Sequence, residues 1–337
     1  MLRHLRANPW LRAGLVAIAV GFAGYGLASE WPQVQDALHR LAWYDVLGAQ
    51  CAALAGLGCM MLAWRTLLAG LGSPLTRPTA TRVMFIGQLG KYLPGALWAL
   101  AAQVELARDY DVPRRRSVTA TLVSMAITLA VGLIMAAVTL PLTSANAARH
   151  YWWVLACTPL ILVGLYPPVT RLGLDLVLRI ARRPPLEKPV SLPGMARALA
   201  WTTTGWLLYG LHSWLLVSDV ARDSTRVLLM SMGAYALAWA AGFLIVVFPG
   251  GIGPRELALI AALAPVMPRA AALVIALVSR VVMTIGDLAW AGLGFAIGRR
   301  AVPTGQGHTA HPGRRPSAAP DPVPGSPNAT GQPPLAR

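Results

Sequence analysis

Val246-Val247-Phe248-Pro249-Gly250-Gly251-Ile252-Gly253-Pro254-Arg255-Glu256 is the stretch that decides how this chain is read. A long apolar run leads into it, and another apolar segment, residues 257–266, follows. Gly250, Gly251 and Gly253 with Pro249 and Pro254 cannot continue an α-helix, so the backbone breaks here. Arg255 and Glu256 then sit beside apolar sequence on both sides. Inside a bilayer a broken backbone is tolerated only where protein buries it or water reaches it. Ionisable groups in such a place are costly and usually functional. Pro254 suits the first turn of a new helix, whose free N–H groups attract anions. The competing reading is a cytoplasmic turn carrying a surface salt bridge.

Composition agrees with membrane depth. The 337 residues are 56% hydrophobic and 12% charged, with mean hydropathy +0.55. Several apolar runs reach the roughly 20 residues a spanning helix needs. The expected fold class is therefore all-α, a polytopic transmembrane helix bundle. A net charge of +16 would suggest nucleic acid in a soluble protein. Here most arginines and lysines lie between apolar runs, where they act as topology signals and lipid headgroup contacts, so no nucleic-acid partner is expected. Cys51, Cys59 and Cys157 fall inside apolar segments and show no disulfide or metal spacing.

Working outward, Arg3, Arg6 and Arg12 precede a first span at residues 13–28 and place the N-terminus in the cytoplasm. Residues 1–28 also have the outline of a signal peptide, but many spans follow, so they read as an uncleaved first helix. Residues 30–44 read as a mixed external loop and residues 45–71 as the second span. Residues 83–107 are apolar but interrupted, and arginines flank them on both sides. This is the pattern of a re-entrant helix–break–helix. Further spans are expected at 118–140, 151–169, 198–217 and 271–297, with residues 227–248 long enough to span as well. Residues 171–182 carry an amphipathic interfacial pattern. His212, alone among Trp, Leu and Tyr, reads as a packed, hydrogen-bonded residue. The organisation is a transmembrane domain over residues 1–300 and a Pro- and Gly-rich cytoplasmic tail over 301–337, with too little apolar content to pack. Localisation is multi-pass in the cell membrane with both termini cytoplasmic.

Sliding the chain by 155 positions aligns the two broken regions. Gly87 meets Gly242, and Pro94-Gly95 meets Pro249-Gly250. Pro113-Arg114 meets Pro268-Arg269, and Leu122-Val123-Ser124 meets Leu277-Val278-Ser279. An odd number of spans between the units makes the repeat inverted, and paired helix breaks of this kind mark transporter binding sites. A simpler alternative has residues 227–248 spanning and 257–266 completing a short return.

The ionisable and polar residues inside or beside apolar sequence are Lys91, Gln103, Glu105, Arg255, Glu256, Arg280 and Asp287. The breaks at Pro94-Gly95 and Gly250-Gly251 start half-helices whose dipoles favour anions. Arg280 and Asp287 share one helix face, about 10 Å apart along the axis. One arrangement pairs Glu256 with Arg280 and leaves Arg255 for a lipid phosphate, with Lys91 and the first break supplying the matching half-site. The alternative is a structural ion-pair network holding the repeats together. No Gly-x-Ser-x-Gly elbow, Walker loop or His-Glu-x-x-His occurs, so neither enzymatic activity nor a cofactor or metal is expected.

Gly90-Lys91-Tyr92-Leu93-Pro94-Gly95 with Trp98, and Phe248-Pro249-Gly250-Gly251-Ile252-Gly253-Pro254-Arg255-Glu256, resemble the paired motifs of the lysylphosphatidylglycerol synthase transmembrane-region family, the flippase-like integral membrane proteins. The resemblance covers about residues 10–300. Pro254 stands where the family pattern is more variable, and the Arg-Glu pair is kept. In bifunctional members this region is the flippase, and a separate C-terminal domain attaches an amino acid to phosphatidylglycerol. Here the tail follows instead, so aminoacyl transfer is not expected. The resemblance implies movement of an anionic phospholipid or a polyprenyl-phosphate-linked lipid between leaflets. Stand-alone members often accompany cell-envelope glycosylation, so the second function class is a non-transporting partner or regulator of a glycosyltransferase. A third, an intramembrane lipid-modifying enzyme, lacks a recognisable nucleophile–base set.

This topology predicts that single cysteines at Ser29, Asn146 and Asp223 label from outside the cell, while ones at Arg115 and Pro189 do not. Outside labelling at Arg115 contradicts it.

Overall fold

The computed structural model describes residues 31–92, 98–143, 149, 169, 172, 191–221, 225–244 and 253–300. Among these, the regular elements are all helical: α1 (Trp31–Arg40), α2 (Trp43–Gly70), α3 (Arg77–Gln88), a 3-10 turn (Leu89–Tyr92), α4 (Trp98–Arg108), α5 (Arg114–Thr139), α6 (Leu192–Ser218), α7 (Thr225–Leu244), α8 (Pro254–Leu263) and α9 (Arg269–Arg300). The protein is thus an all-α membrane protein. By length and apolarity α2, α5 with the turn that follows it, α7 and α9 are able to cross a bilayer. Helix α6 is 27 residues long, but Thr202, Thr203, Thr204, Tyr209 and His212 dilute its apolar character. The expected span at 13–28 and the tail at 301–337 lie outside the described residues. Of 151–169 and 171–182 only Val169 and Leu172 are described.

One expectation is corrected. Residues 30–44 do not form a loop throughout, because they contain α1. Pro32 falls in the first turn, where a missing N–H costs nothing. Asp36 and Arg40 pair across one turn at 2.8 Å, and Ala37 is buried in a helix that packs on α9. The mixed polar composition concealed this helix.

The interrupted unit is present as a hairpin. Thr76 Oγ1 accepts the Thr79 N–H at 3.4 Å and starts α3. The chain then passes through the 3-10 turn and comes back as α4. Two glycines allow the close approach: a Cβ on Gly87 would lie 2.7 Å from the Gln103 Cα, and one on Gly90 would lie 2.7 Å from the Ala99 nitrogen. Gln103 is accordingly buried in this contact. Helices α3, α4 and α8, at 12, 11 and 10 residues, are each about 15–18 Å long, roughly half the hydrocarbon thickness. Helix α7, with 20 residues, is about 30 Å long. The second unit therefore pairs one full-length helix with one half-length helix, whereas the first pairs two half-length ones. Helix α8 is too short to make a return span by itself.

The helix ends keep the 155-residue register: α4 ends at Arg108 and α8 at Leu263, while α5 starts at Arg114 and α9 at Arg269. Contacts are exchanged between the units as well. Helix α3 packs on α9, and α7 packs on α5.

The most extensive pair is α2 with α6. Without a hydrophobic gradient inside lipid, helices associate through small residues that admit close backbone approach. Ala49, Ala52, Ala53, Gly56 and Ala63 supply such a face on α2. A Cβ on Gly56 would lie 2.6 Å from the Tyr209 ring, and one on Gly205 would lie 2.9 Å from the Met60 methyl. Gly56→Val and Gly205→Val are expected to cost about 1–3 kcal/mol each through overpacking. Gly292→Ala, where nothing lies within 4 Å, should leave stability nearly unchanged. Thermal unfolding in detergent measures all three.

Candidate functional site

Glycine 253 sets the start of α8. Its φ of 93° lies in the left-handed region, which a side chain disfavours. Pro254 follows as the first helical residue. Glu256, three residues past the cap, turns back so that its Oε2 accepts the Gly253 N–H at 2.7 Å. This satisfies one of the free donors of the helix start. The other oxygen, Oε1, faces Arg280 Nη1 of α9 at 3.5 Å. Glu256 thus ties the break to α9, as the sequence suggested. Both side chains are largely buried, at 16% and 20% exposure.

Arg255 points elsewhere. Its Nη2 donates to the Tyr235 hydroxyl of α7 at 2.6 Å, and its guanidinium lies 5.0 Å from that ring's centroid. Among the described residues no carboxylate lies within ion-pair distance of Arg255. Its hydrogen-bond partner here is neutral.

The first unit reaches the same place through the 3-10 turn. Lys91 Nζ is 2.6 Å from Asp287 Oδ2 of α9, and the Tyr92 hydroxyl donates to that oxygen at 2.7 Å. Asp287 is 4% exposed. Arg280 sits in the electrostatic reach of Arg255, Glu256, Tyr92 and Tyr235, and Tyr235 in that of Arg255, Arg280 and Asp287. Lys91, Arg255, Glu256, Arg280 and Asp287 therefore form one cluster built on α7, α8, α9 and the 3-10 turn. Among the described residues, three cations face two carboxylates in this cluster.

On either side of this cluster along α9 the helices are joined by polar contacts. His212 Nδ1 lies 3.1 Å from the Ala49 carbonyl and Nε2 lies 2.9 Å from Ser279 Oγ. The histidine is fully buried and links α2, α6 and α9. Trp290 Nε1 donates to the Leu54 carbonyl at 2.9 Å while its ring stacks on Phe85.

Glu105, expected in the site, stands apart. It is 58% exposed at the α4–α5 corner, pairing with Arg114 at 3.0 Å and with Arg108. The Arg114 and Arg108 guanidiniums hold its carboxyl below the usual carboxylate range. Any stability this corner adds is thus present above that range and lost as the pH falls from there through the lowered value. An ionisable residue ending an apolar helix looks, in sequence, like one inside it. Pro94, Gly95, Gly250 and Gly251 lie outside the described residues. Tyr92 and Tyr235 were missed. Tyr92 had a signal, its place beside Lys91 in the broken motif, whereas Tyr235 had only a lone hydroxyl in an apolar helix.

The family model described as "Lysylphosphatidylglycerol synthase TM region" matches residues 10–291. No curated protein matches the chain.

Lys91→Met is expected to destabilise the protein by about 2 kcal/mol, because it takes the counter-ion from the buried Asp287. The cost stays below that of a fully buried pair because Lys91 is 36% exposed. Adding Asp287→Asn should return part of the loss. Chemical or thermal unfolding of the two single variants and the double variant measures the coupling, and strict additivity contradicts it.

Proposed function

The chain belongs to the lysylphosphatidylglycerol synthase transmembrane-region family, and from that premise we propose that it carries an anionic lipid, a phospholipid or a polyprenyl-phosphate-linked lipid, between membrane leaflets. The observation that supports this reading is the cluster, in which, among the described residues, Arg255 has no carboxylate partner. Arg255 is its most available cation, since its partner is a neutral hydroxyl. A guanidinium offers a planar fork that suits phosphate oxygens, and the start of α8 adds a favourable dipole. Helix α3 leads into the turn that carries Lys91, and α8 carries Arg255 and Glu256 in its first turn; both are about half a bilayer long, as in transporters whose broken helices meet at the midplane. The shared 155-residue register and the exchanged contacts of α3 with α9 and α7 with α5 support an internal repeat. We read that repeat as inverted, so that the cluster becomes accessible from either side in turn.

A scaffold or regulator of a glycosyltransferase needs no such charges beside a helix break. An ion-pair network alone does not explain why, among the described residues, Arg255 has a neutral partner.

Arg255→Lys keeps the charge and loses the fork. The expected loss is about 1.5–3 kcal/mol of lipid binding, a weakening of roughly 10- to 150-fold, with thermal stability retained. Binding of labelled phosphatidylglycerol and of a polyprenyl phosphosugar by purified Arg255→Lys, Arg255→Ala and Glu256→Ala protein measures this. Undiminished binding of both lipids by a stable Arg255→Ala protein removes Arg255 from the site.

A further inference from the structure

The two oxygens of Asp287 are treated unequally. Oδ2 receives both Lys91 and the Tyr92 hydroxyl. Oδ1 is buried and accepts no hydrogen bond from the described residues. A carboxylate with its side chain 5% exposed keeps its charge only while a cation compensates it. Lys91 is that cation. It stands on the turn beside the break, is more than a third exposed, and is therefore within reach of an entering anion.

We propose that Asp287 is a proton-binding site coupled to the lipid phosphate, which makes the carrier a lipid–proton symporter. This rests on the lipid-phosphate reading of the cluster. A phosphate that engages Lys91 brings negative charge beside Asp287 and draws its counter-ion away. Oδ1 then takes one proton from water, forming an O–H bond, while Tyr92 goes on donating to Oδ2. No bond in the lipid changes. When the phosphate leaves, the proton returns to water and Lys91 returns to the carboxylate. A nearby like charge favours the neutral carboxyl, so lipid and proton strengthen each other's binding reciprocally. A carrier that binds both together moves both together, and a transmembrane proton gradient then supplies the direction.

The groups around Asp287 fit this assignment. Tyr92 and Lys91 face it from the turn, while Tyr209 of α6 and Tyr235 of α7 lie in its electrostatic reach. Arg280 on its own helix acts on Tyr92, and Arg255 and Glu256 of α8 act on Arg280. Helix α2 contributes the uncharged Gln50 beside Gly286. The Asp36 and Arg40 charges of α1 are paired with each other, and Arg82 of α3 packs farther along α9, beside Gly294. The two other carboxylates named here, Glu256 and Asp36, are each paired with an arginine.

The test uses purified protein in uncharged detergent with a pH-indicator dye. The added lipids are phosphatidylglycerol and a polyprenyl phosphosugar, phosphodiesters that do not titrate near neutral pH. Lipid binding should draw up to about one proton per lipid from solution, and affinity should rise by up to about tenfold per unit fall in pH. Whatever lipid Asp287→Asn still binds should bring no proton uptake, and its binding should lose that pH dependence. Should Asp287→Asn fail to fold, Lys91→Gln serves instead: it removes the cation that the phosphate would draw away, so uptake per bound lipid should fall below the wild-type value. Wild-type lipid binding without proton uptake across pH 5–8 overturns the coupling and leaves the lipid site standing. Undiminished uptake in both variants also overturns it. Failure of the wild type to bind either lipid overturns the lipid-phosphate reading itself, and binding of only one lipid identifies the source of the phosphate.

Discussion

Burying Asp287 at the heart of a membrane protein is the demand that the rest of the structure meets. A carboxylate that leaves water must find a cation and donors, or it loses its charge. The cation comes from Lys91, and Lys91 can be delivered only if the chain enters the bundle on α3, stops, and tightens into a 3-10 turn. Gly87 and Gly90 permit that turn to lie against α4. The aromatic hydroxyl that completes the contact follows at the next position, Tyr92. The second break meets a similar demand: Glu256 caps its own helix and holds Arg280, which leaves Arg255 to α7.

The two units share a register but not a chemistry. Asp287 corresponds to Gly132 in the first unit, where any Cβ would collide with Trp206. Arg280 corresponds to Met125, and Lys91 to Val246. The charges are therefore single copies, and each unit supplies what the other lacks. A purely structural repeat has no need to place its ionic groups asymmetrically. A carrier does, because one ligand must be gripped by different groups from the two halves.

Much of the fold was legible because its determinants are local. Hydropathy over 20 or so residues marks a spanning helix, and Gly and Pro mark a break wherever they cluster. The Glu256–Arg280 pair was legible because few partners were available within one unit. The Lys91–Asp287 contact was not, since it joins residues almost 200 positions apart, and no periodicity records such a meeting. Tyr235 was invisible for a similar reason, since its hydroxyl matters only where Arg255 reaches it. Helix α1 escaped because, among its described side chains, Ala37 alone is buried. Glu105 was assigned to the wrong cluster because its place at the end of α4, outside the core, is a property of three dimensions.

The most direct measurement of the central claim is leaflet exchange by the purified, folded protein in liposomes. Labelled phosphatidylglycerol and a labelled polyprenyl phosphosugar are placed in one leaflet, and their appearance in the other is timed. The account predicts exchange of at least one of these lipids well above the rate of protein-free liposomes, with an uncharged diacylglycerol unaffected. Exchange of both at the protein-free rate contradicts it.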